Sequence, residues 1–408
     1  MKNCIFFNVY LLRFEAFLTT LFCAIPFLAG KRTGSTWIIH SENVNRAIEN
    51  FVLKAEESNL KVLDIVIIQH GKSLANWQAK EVETSVLFDQ HELSATVTAM
   101  AVGLAEDEGL LGLDDKVAEF FPDLLPAQPS ANLQAMTIRH LLTMTSGHDK
   151  DTPCNLGENW AENYLAQPVP HTPGSYFYYD PMAGYMLSAI LQKVTGQSLS
   201  EYLQTSLFEP LGIKIIEWES SPQGLSAGGW GLHATTQDMA RIGSLLVQKG
   251  KWEGRRLLPR KWVKQMLNYQ TASCPKDVRY EELPQSGLSL YENDWIQGFG
   301  YQTWLCRDVR TIPHQTLLSE MGFNVIAYGK NINDPFFRAE GNGGQYLIMI
   351  PEYDACIAVN AKMDDMAAGL KLIYSHLIPA MPDWRGEKQD FSRTQTRHHN
   401  LHYVNSHL

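Results

Sequence analysis

Segments with the pattern of β-strands lie near both ends of the chain, on either side of a long region with helical patterning. Residues 62–68, VLDIVII, are β-rich, and apolar residues then recur at helical spacing as far as about residue 266. Helices are also predicted at 41–57, before the first strand, and at 365–376, after the last. Because strands from both ends must share a sheet to be buried, the order predicts an α/β (α+β) sandwich with an inserted helical lobe. The later strand candidates are 298–305, 325–329, 345–350 and 355–359.

The composition excludes several classes of protein. The chain has 408 residues, of which 45% are hydrophobic, as in globular proteins with a large buried core. Its formal net charge of −10 repels phosphate backbones, so no nucleic-acid partner is expected. The six cysteines are scattered without a C-x-x-C pair, which argues against a zinc ribbon or a disulfide framework. No pattern in the sequence predicts a cofactor or a metal site.

The N-terminal segment differs from the body of the chain. Residues 16–30, AFLTTLFCAIPFLAG, have the length of a signal-peptide core and are short for a membrane span. We therefore interpret residues 1–35 as a signal or a short membrane anchor, with a wrongly assigned start of translation as the alternative. This interpretation predicts export or anchoring, with membrane contact only if residues 1–30 are retained.

The C-terminal tail also differs from the body. Residues 382–408 are polar and lack an apolar period, so we expect them to be disordered. The tail histidines His398, His399 and His402 are interpreted as solvated side chains rather than metal ligands. These boundaries leave residues 36–381 as one domain.

Local signals locate several elements within this domain. Residues 98–108, TAMAVGLAEDE, are apolar almost all round at their start, which predicts a buried helix. Thr235, with Asp238 three residues later, is typical of a capped helix start. The sequence His70-Gly71-Lys72 predicts a turn from the first strand into a second one, in a hairpin at the edge of the sheet.

Five segments, in fixed order, carry a pattern that is more specific than any of these signals. Together they resemble the family of class C β-lactamases, related esterases and penicillin-binding proteins, over about residues 41–381. The resemblance implies a β-lactamase/transpeptidase-like fold, with an antiparallel sheet flanked by helices and a helical lobe beside it. The segments are EGLLGLDDK (108–116), TIRHLLTMTSG (137–147), PGSYFYY (173–179), LFEPLGI (207–213) and GGWGLHATTQD (228–238).

The family's first catalytic motif is altered in this chain. Family members carry Ser-x-x-Lys, in which the serine is the nucleophile and the lysine, one helical turn on, is its base. A lysine in surroundings of low dielectric constant can lose its proton and serve this role. The motif belongs just before TAMAVG (98–103), where the chain reads HELSATV (91–97). Glu92 therefore stands at the nucleophile position and Ala95 at the lysine position.

Other serines do not restore the motif. Ser94 is followed three residues later by Val97, which cannot accept a proton. Two further Ser-x-x-Lys strings, at 58–61 and 273–276, lie outside the family's order of segments, and the string itself is short and common. Glu92 as a carboxylate nucleophile would need a second carboxylate, for which Asp180 is the nearest candidate.

The second and third motifs are partly retained. Tyr179 matches the tyrosine of the family's Tyr-x-Asn motif, but Pro181 replaces the asparagine and supplies no side-chain amide. The third motif, Lys-Thr-Gly on an inner strand, corresponds to Ala339-Glu340-Gly341. The resemblance places the oxyanion-hole N–H groups at Glu92 and Asn342, where a charged Glu92 would repel a developing oxyanion.

These substitutions lead to three hypotheses about function. The first is a catalytically impaired serine hydrolase, in which the cleft binds a small ester or amide or the fold is only a scaffold. The second is an active hydrolase of the esterase, amidase or β-lactamase type that uses another nucleophile. The third is an error in the sequence of residues 84–97 that hides a Ser-x-x-Lys motif. His140 is interpreted as structural, since the family's segment has a residue of that kind there.

Overall fold

The computed structural model describes the chain in the stretches 33–83, 85–150, 157–214, 216–272, 298–306 and 336–382. Within them, side chains are described from residue 42 onward, except those of residues 272 and 306. The strand predicted at 325–329 lies outside these stretches, as do residues 1–32 and the tail beyond residue 382.

Helices form both the terminal layer and the lobe. The long first helix agrees with the predicted one but begins earlier, and the last helix is prolonged by a π turn at Ile373–Leu377. In chain order the described helices are α1 (Thr33–Glu57), α2 (Ser94–Asp107), α3 (Val117–Phe120), α4 (Ala131–Ala135), α5 (Ile138–Leu142), α6 (Trp160–Leu165), α7 (Pro181–Thr195), α8 (Leu199–Leu203), α9 (Thr236–Val247), α10 (Arg260–Met266) and α11 (Met366–Leu372).

The strands form one large antiparallel sheet and two small ones. In chain order they are β1 (Lys61–Gln69), β2 (Lys72–Gln78), β3 (Phe88–Asp89), β4 (Glu217–Trp218), β5 (Leu232–Ala234), β6 (Lys251–Trp252), β7 (Arg255–Arg256), β8 (Thr271–Ala272), β9 (Gly298–Phe299), β10 (Trp304–Cys306), β11 (Phe336–Gly341), β12 (Gln345–Ile350) and β13 (Ala355–Lys362). The large sheet has the order β2-β1-β13-β12-β11-β10-β9-β8, and the small ones pair β3-β5-β4 and β6-β7.

The large sheet joins the two ends of the domain. β1 pairs antiparallel with β13, with Ile65 opposite Val359, so the first strand lies beside the last. β2 returns along the other side of β1 and forms an edge of the sheet, as the hairpin prediction required. The lobe is therefore an insertion between strands that meet in space.

Successive residues of β1 face two different cores, because side chains alternate across a strand. Ile65 and Ile67 pack with the terminal helices, in a cluster that includes Phe51 of α1. Val66 and Ile68 belong to the larger cluster, which contains the helices of the lobe. The sheet is thus covered on both faces, which explains why its central strands read as continuous apolar runs.

α2 is the buried helix of the lobe and begins four residues earlier than its sequence pattern predicted. Its first residues, Ser94-Ala95-Thr96-Val97, are all buried, and apolar periodicity cannot locate the start of a helix buried all round. The Thr98 hydroxyl donates to the carbonyl of Gly228 at 2.7 Å, which ties the helix to the loop before β5.

The small sheet β3-β5-β4 was not predicted from the sequence. Its strands have two or three residues, too few to show a period of two. Asp89 lies opposite His233, and Trp218 lies opposite Leu232, so β5 is the central strand. This sheet holds the segment that leads from β3 into α2.

The predicted fold class, an antiparallel sheet flanked by helices with a helical lobe, is confirmed. Within the described residues, none of the helices has the length and apolar character needed to cross a membrane. Cys356, on β13, is buried and is not part of a disulfide. The domain boundaries at residues 35 and 381 remain predictions.

Candidate active site

A single turn carries the residue at the nucleophile position. Glu92 lies in a 3-10 turn, His91–Leu93, which connects β3 to the first residue of α2. The resemblance implied that this residue would open the helix, but it lies just before it. His91 has a φ of 46°, in the left-handed region that side chains seldom adopt. Asp89 stabilises this conformation, because its Oδ1 accepts a hydrogen bond from the His91 N–H at 2.8 Å.

The carboxylate of Glu92 is bound to the strand that carries the third motif. Its Oε2 accepts a hydrogen bond from the backbone N–H of Asn342 at 2.8 Å. The resemblance to the family implies that this N–H is part of the oxyanion hole. The half-buried carboxylate therefore occupies a donor that an acyl oxygen would need.

Gly341 permits the turn and β11 to approach each other. A Cβ at this position would collide with the carbonyl oxygen of Gln90 and lie 3.1 Å from the Cβ of His91. Only glycine leaves room for this close approach. The glycine of the third motif thus has a packing reason here that does not depend on catalysis.

A buried polar chain fixes the residue that precedes the turn. The side-chain amide of Gln90 donates to Asn360 Oδ1 at 3.3 Å, and Asn360 donates to the hydroxyl of Thr236 at 2.9 Å. Thr236 donates in turn to Asp64 Oδ2 at 2.8 Å. Burial raises the pKa of the Asp64 carboxyl, and the bond from Thr236 opposes that rise. The chain connects the turn to β1, β13 and α9.

Neither Ala95, at the lysine position, nor Ser94 supplies a base or a free nucleophile. Ala95 is 2% exposed, and its methyl group cannot accept a proton. Ser94 Oγ donates to the carbonyl of His91 at 2.5 Å and accepts from the N–H of Leu232 at 3.0 Å. Because this buried hydroxyl is already committed to two backbone groups, it is not free to attack a substrate.

The Ser-x-x-Lys string at 58–61 does not have the structure of the family's motif, because its two residues do not lie one turn apart on a helix. Ser58 lies in the turn that follows α1. Lys61 begins β1 and forms an exposed ion pair with Glu81 at 2.9 Å. The string at 273–276 lies outside the described residues.

The second motif begins α7, and the local structure accounts for its proline. Pro181 is the first residue of the helix, where a proline is favoured because its missing N–H would have no helical partner. Asp180 is the N-cap, and its carboxylate accepts from the Met182 N–H at 2.9 Å. Asp180 therefore serves the helix and is 2% exposed, which makes it a poor partner for Glu92.

Tyr179 lies against an aromatic wall. Its ring stacks on Trp304 of β10, with a centroid distance of 5.5 Å and an interplanar angle of 17°, and meets Phe299 edge-on. The guanidinium of Arg338, on β11, lies 5.3 Å from the centroid of Trp304. These contacts connect Tyr179 to β11, the strand that precedes Asn342.

The residues of the third motif have distinct surroundings on β11. Ala339 is buried in the larger core, at the position of the family's lysine. Glu340 binds Arg338, whose Nε donates to Oε2 at 2.7 Å and whose Nη2 donates to Oε1 at 3.2 Å. Arg338 is fully buried, and this two-point contact stabilises its charge. Arg338 therefore places a cationic group beside the third motif, already paired with Glu340.

The structure brings some of the predicted site residues into direct contact and connects others only through a third residue. Glu92 contacts Asn342 directly, and Gly341 lies against Gln90 and His91. Tyr179 is connected to the same strand through Trp304 and Arg338. Trp304 was missed because nothing in its local sequence marks it. Arg338 could have been found, since residues two apart on a strand share a face and its charge is opposite to that of Glu340.

A second polar group is buried inside the lobe, away from these contacts. His148 is 2% exposed, its Nδ1 lies 2.9 Å from Ser146 Oγ, and its ring packs on Tyr164 at 4.6 Å. Its Nε2 has no hydrogen-bond partner among the described residues. Burial lowers the pKa of His148 to about 4, so the ring is neutral at pH 7.

His140 has the structural role that was predicted for it. Its Nδ1 accepts a hydrogen bond from the Thr137 N–H at 3.1 Å, which completes a capping box at the start of α5. Burial is the main cause that lowers the pKa of His140, and the charges of Lys116 and Arg139 add to it. A neutral imidazole is the form that can accept this bond.

Comparison with known proteins agrees with the motifs. A family model described as Beta-lactamase matches residues 63–370 of the chain. Penicillin-binding protein 4* of Bacillus subtilis (strain 168) is 30% identical over 186 residues, which are 41% of this chain and 39% of that protein. A β-lactamase of Escherichia coli (strain K12) is 24% identical over 329 residues, 70% of this chain and 76% of that protein.

Solved structures share the fold. An octameric penicillin-binding protein homologue from Pyrococcus abyssi has a TM-score of 0.56 and 17% identity, covering 81% of this chain and 76% of that one. A β-lactamase from Mycobacterium bovis has a TM-score of 0.54 and 19% identity, covering 82% of this chain and 100% of that one. At these identities the similarity establishes the fold alone.

Proposed function

Because the chain belongs to the β-lactamase family of serine hydrolases, we propose that it is a member that has lost acyl transfer and keeps the cleft for binding. The occupant proposed from the sequence is a small ester or amide. Binding without turnover fits a site in which Tyr179 still stacks on Trp304, while the family's serine and lysine are replaced.

The observation that carries this proposal is the hydrogen bond from the Asn342 N–H to Glu92 Oε2 at 2.8 Å. A carboxylate at this position supplies no hydroxyl to acylate, and it takes up a donor that stabilises a tetrahedral oxyanion. Two like charges 4 Å apart repel by about 4 kcal/mol at an effective dielectric constant of about 20. The same side chain thus removes the nucleophile and opposes the transition state.

Two features weigh against an active hydrolase with another nucleophile. Ser94 is bound at both ends to backbone groups, and Asp180 caps α7, so neither is poised beside Glu92 for catalysis. Ala95 leaves the site without the lysine that would act as base. The chemistry of the cleft therefore lacks both members of the acylating pair.

The wild-type protein should form no covalent adduct with a fluorophosphonate or with benzylpenicillin, as measured by intact-protein mass spectrometry. A stoichiometric adduct on any serine would overturn the proposal. In the same experiment, tryptic cleavage after Lys80 and Lys116 releases a peptide that contains both Glu92 and Ala95. Its mass tests directly whether residues 84–97 are encoded as given.

A double variant provides the matched positive control. Glu92→Ser with Ala95→Lys restores a hydroxyl, a base one turn on and a free Asn342 N–H, so burst kinetics on a p-nitrophenyl ester should appear. Each single variant should match wild type, because nucleophile and base act as a unit. If the folded double variant also shows no burst, the cleft is no longer suited to an acyl group and the protein is a scaffold.

A further inference from the structure

One face of the small sheet collects an imidazole and two carboxylates. Asp89 of β3 lies directly opposite His233 of β5, and Glu219 follows β4 on the other side of His233. Ligand atoms of these three side chains all lie within 4.8 Å of one another. Three strands of one sheet therefore present a nitrogen and two oxygen donors to a single point.

The spacing within this group is close to that of ligands around a metal ion. His233 Nε2 and Glu219 Oε1 are 3.4 Å apart, and the ligand atoms of all three side chains lie within 4.8 Å of one another. For zinc bonds of about 2.0–2.1 Å, the edge of a tetrahedron is about 3.3 Å. Small side-chain rotations would bring these three ligand atoms to equal distances from one ion.

The backbone holds Glu219 over the sheet. Its N–H donates to the carbonyl of Gly231 at 2.8 Å, and Gly231 has a φ of 77°. A Cβ on Gly231 would lie 2.6 Å from the Cβ of Glu219, so a larger residue would push the glutamate away. The glutamate is placed by main-chain contacts that are independent of its charge.

We propose that Asp89, Glu219 and His233 bind a divalent transition-metal ion of the Zn²⁺ type. Imidazole and carboxylate together suit zinc and its neighbours rather than calcium, which takes oxygen ligands alone. The side chains of Asp89, His233 and Glu219 are 31%, 30% and 51% exposed, so an ion can enter without unfolding. This proposal does not rest on the proposed function of the cleft.

A bound ion would act on the turn that carries Glu92. Asp89 would ligate the metal through one oxygen while its Oδ1 accepts from the His91 N–H. The ion would thus fasten β3, β4 and β5 together at the point where the chain enters α2. Its effect is structural, and it should appear as a rise in Tm with increasing Zn²⁺ concentration.

The test uses the full chain with its four tail histidines, His398, His399, His402 and His407, replaced by alanine, so that the tail cannot bind the metal. Zn²⁺ titration by calorimetry should give one equivalent, and Co²⁺ should give visible absorption bands of a low-coordinate site. Glu219→Gln and His233→Asn should each weaken Zn²⁺ binding at least tenfold. Asp89→Asn should do the same.

The matched control is His70→Asn, since His70 Nδ1 also lies 3.3 Å from a carboxylate, that of Asp354, in a pair outside the three-residue group. It should bind Zn²⁺ as the parent does. The proposal is overturned if the parent binds no Zn²⁺, or if Glu219→Gln and His233→Asn bind within twofold of the His70→Asn control. Circular dichroism of each variant shows whether it remains folded. If the other variants do not fold, Zn²⁺ binding by Glu219→Gln, whose substitution is exposed, provides the test.

Discussion

The packing around α2 and the turn in front of it differ in what they require of the sequence. In the interior, Gly103 of α2 lies against the ring of Trp262, and any side chain there would collide with the indole. Glu92 of the turn and Ala95 of α2 stand at the positions of the family's catalytic serine and lysine, and Glu92 accepts a hydrogen bond from the Asn342 N–H. The packing of the interior and the hydrogen bond of the turn therefore depend on different residues.

The largest expected effect would come from disturbing the interior. Gly103→Ala places a methyl group inside the ring of Trp262, which is 1% exposed and donates from its indole nitrogen to the Ala99 carbonyl at 2.9 Å. We expect the free energy of unfolding to fall by about 3 kcal/mol, because overpacking forces the ring or the helix to move. Urea denaturation would measure the loss.

Gly196→Ala is the matched control for this substitution. Gly196 ends α7 with a φ of 71°, and an added Cβ would meet no atom within 4 Å. Its cost should be about 1 kcal/mol, from backbone strain alone. If the two variants lose the same free energy of unfolding, the contact with Trp262 is not a packing constraint. The interior would then tolerate substitution as well as the turn does.

The next effect concerns the buried charge on β11. Glu340→Gln should lower the free energy of unfolding by between about 2 and 3 kcal/mol, because it weakens the two-point contact that stabilises the fully buried Arg338. Glu81→Gln is the control, since Glu81 pairs with Lys61 on the surface and should leave Tm unchanged. If Glu340→Gln also leaves Tm unchanged, Arg338 does not need Glu340, and the third motif is as tolerant of change as the turn.

The acid sensitivity of the lobe should depend on His148. Its pKa is about 4 in the folded protein and about 6.5 when unfolded, so the unfolded chain takes up the proton first as the pH falls. The stability that the neutral His148 contributes is therefore fully present above about pH 6.5 and is lost as the pH falls from there towards 4. The loss between pH 7 and pH 5 should be about 2 kcal/mol from this residue.

His148→Asn should remove this part of the pH dependence, because an amide near Ser146 does not titrate. Urea denaturation at pH 7, 6 and 5 would compare the two slopes. If the variant loses stability between pH 7 and 5 as steeply as wild type, another group causes the acid sensitivity.

The sequence predicted the large elements because their signals are local. The β-rich run of residues 62–68 predicted β1, and Thr235 marked the start of α9. The small sheet escaped prediction because two-residue strands carry no period. Its pairing of Asp89 with His233 also joins segments that are far apart in the chain.

The candidate site could be located but not assembled from the sequence. The resemblance placed Glu92 and Asn342 at the oxyanion hole and predicted that the carboxylate would repel an oxyanion. It did not reveal that the carboxylate itself accepts the Asn342 N–H, since that depends on a side-chain rotamer and on a contact 250 residues apart. It also could not explain Pro181, which the cap of α7 accounts for.

The smallest expected effect comes from the turn itself. Glu92→Ser removes the acceptor of the Asn342 N–H without touching the core, so the free energy of unfolding should fall by only about 1 kcal/mol. Glu92→Gln keeps an acceptor of similar length and should cost less than about 0.5 kcal/mol. Thermal and urea unfolding would rank both variants against wild type.

The ranking of these two variants separates two accounts of the turn. If Glu92 contributes through its hydrogen bond, glutamine substitutes for it and serine does not, and added salt changes neither result much. If its charge matters instead, both variants lose the same amount. A Glu92→Ser variant as stable as wild type would mean that the contact with Asn342 adds nothing to folding. The turn would then tolerate serine, the family's residue, without cost, and the glutamate would bring no gain in stability.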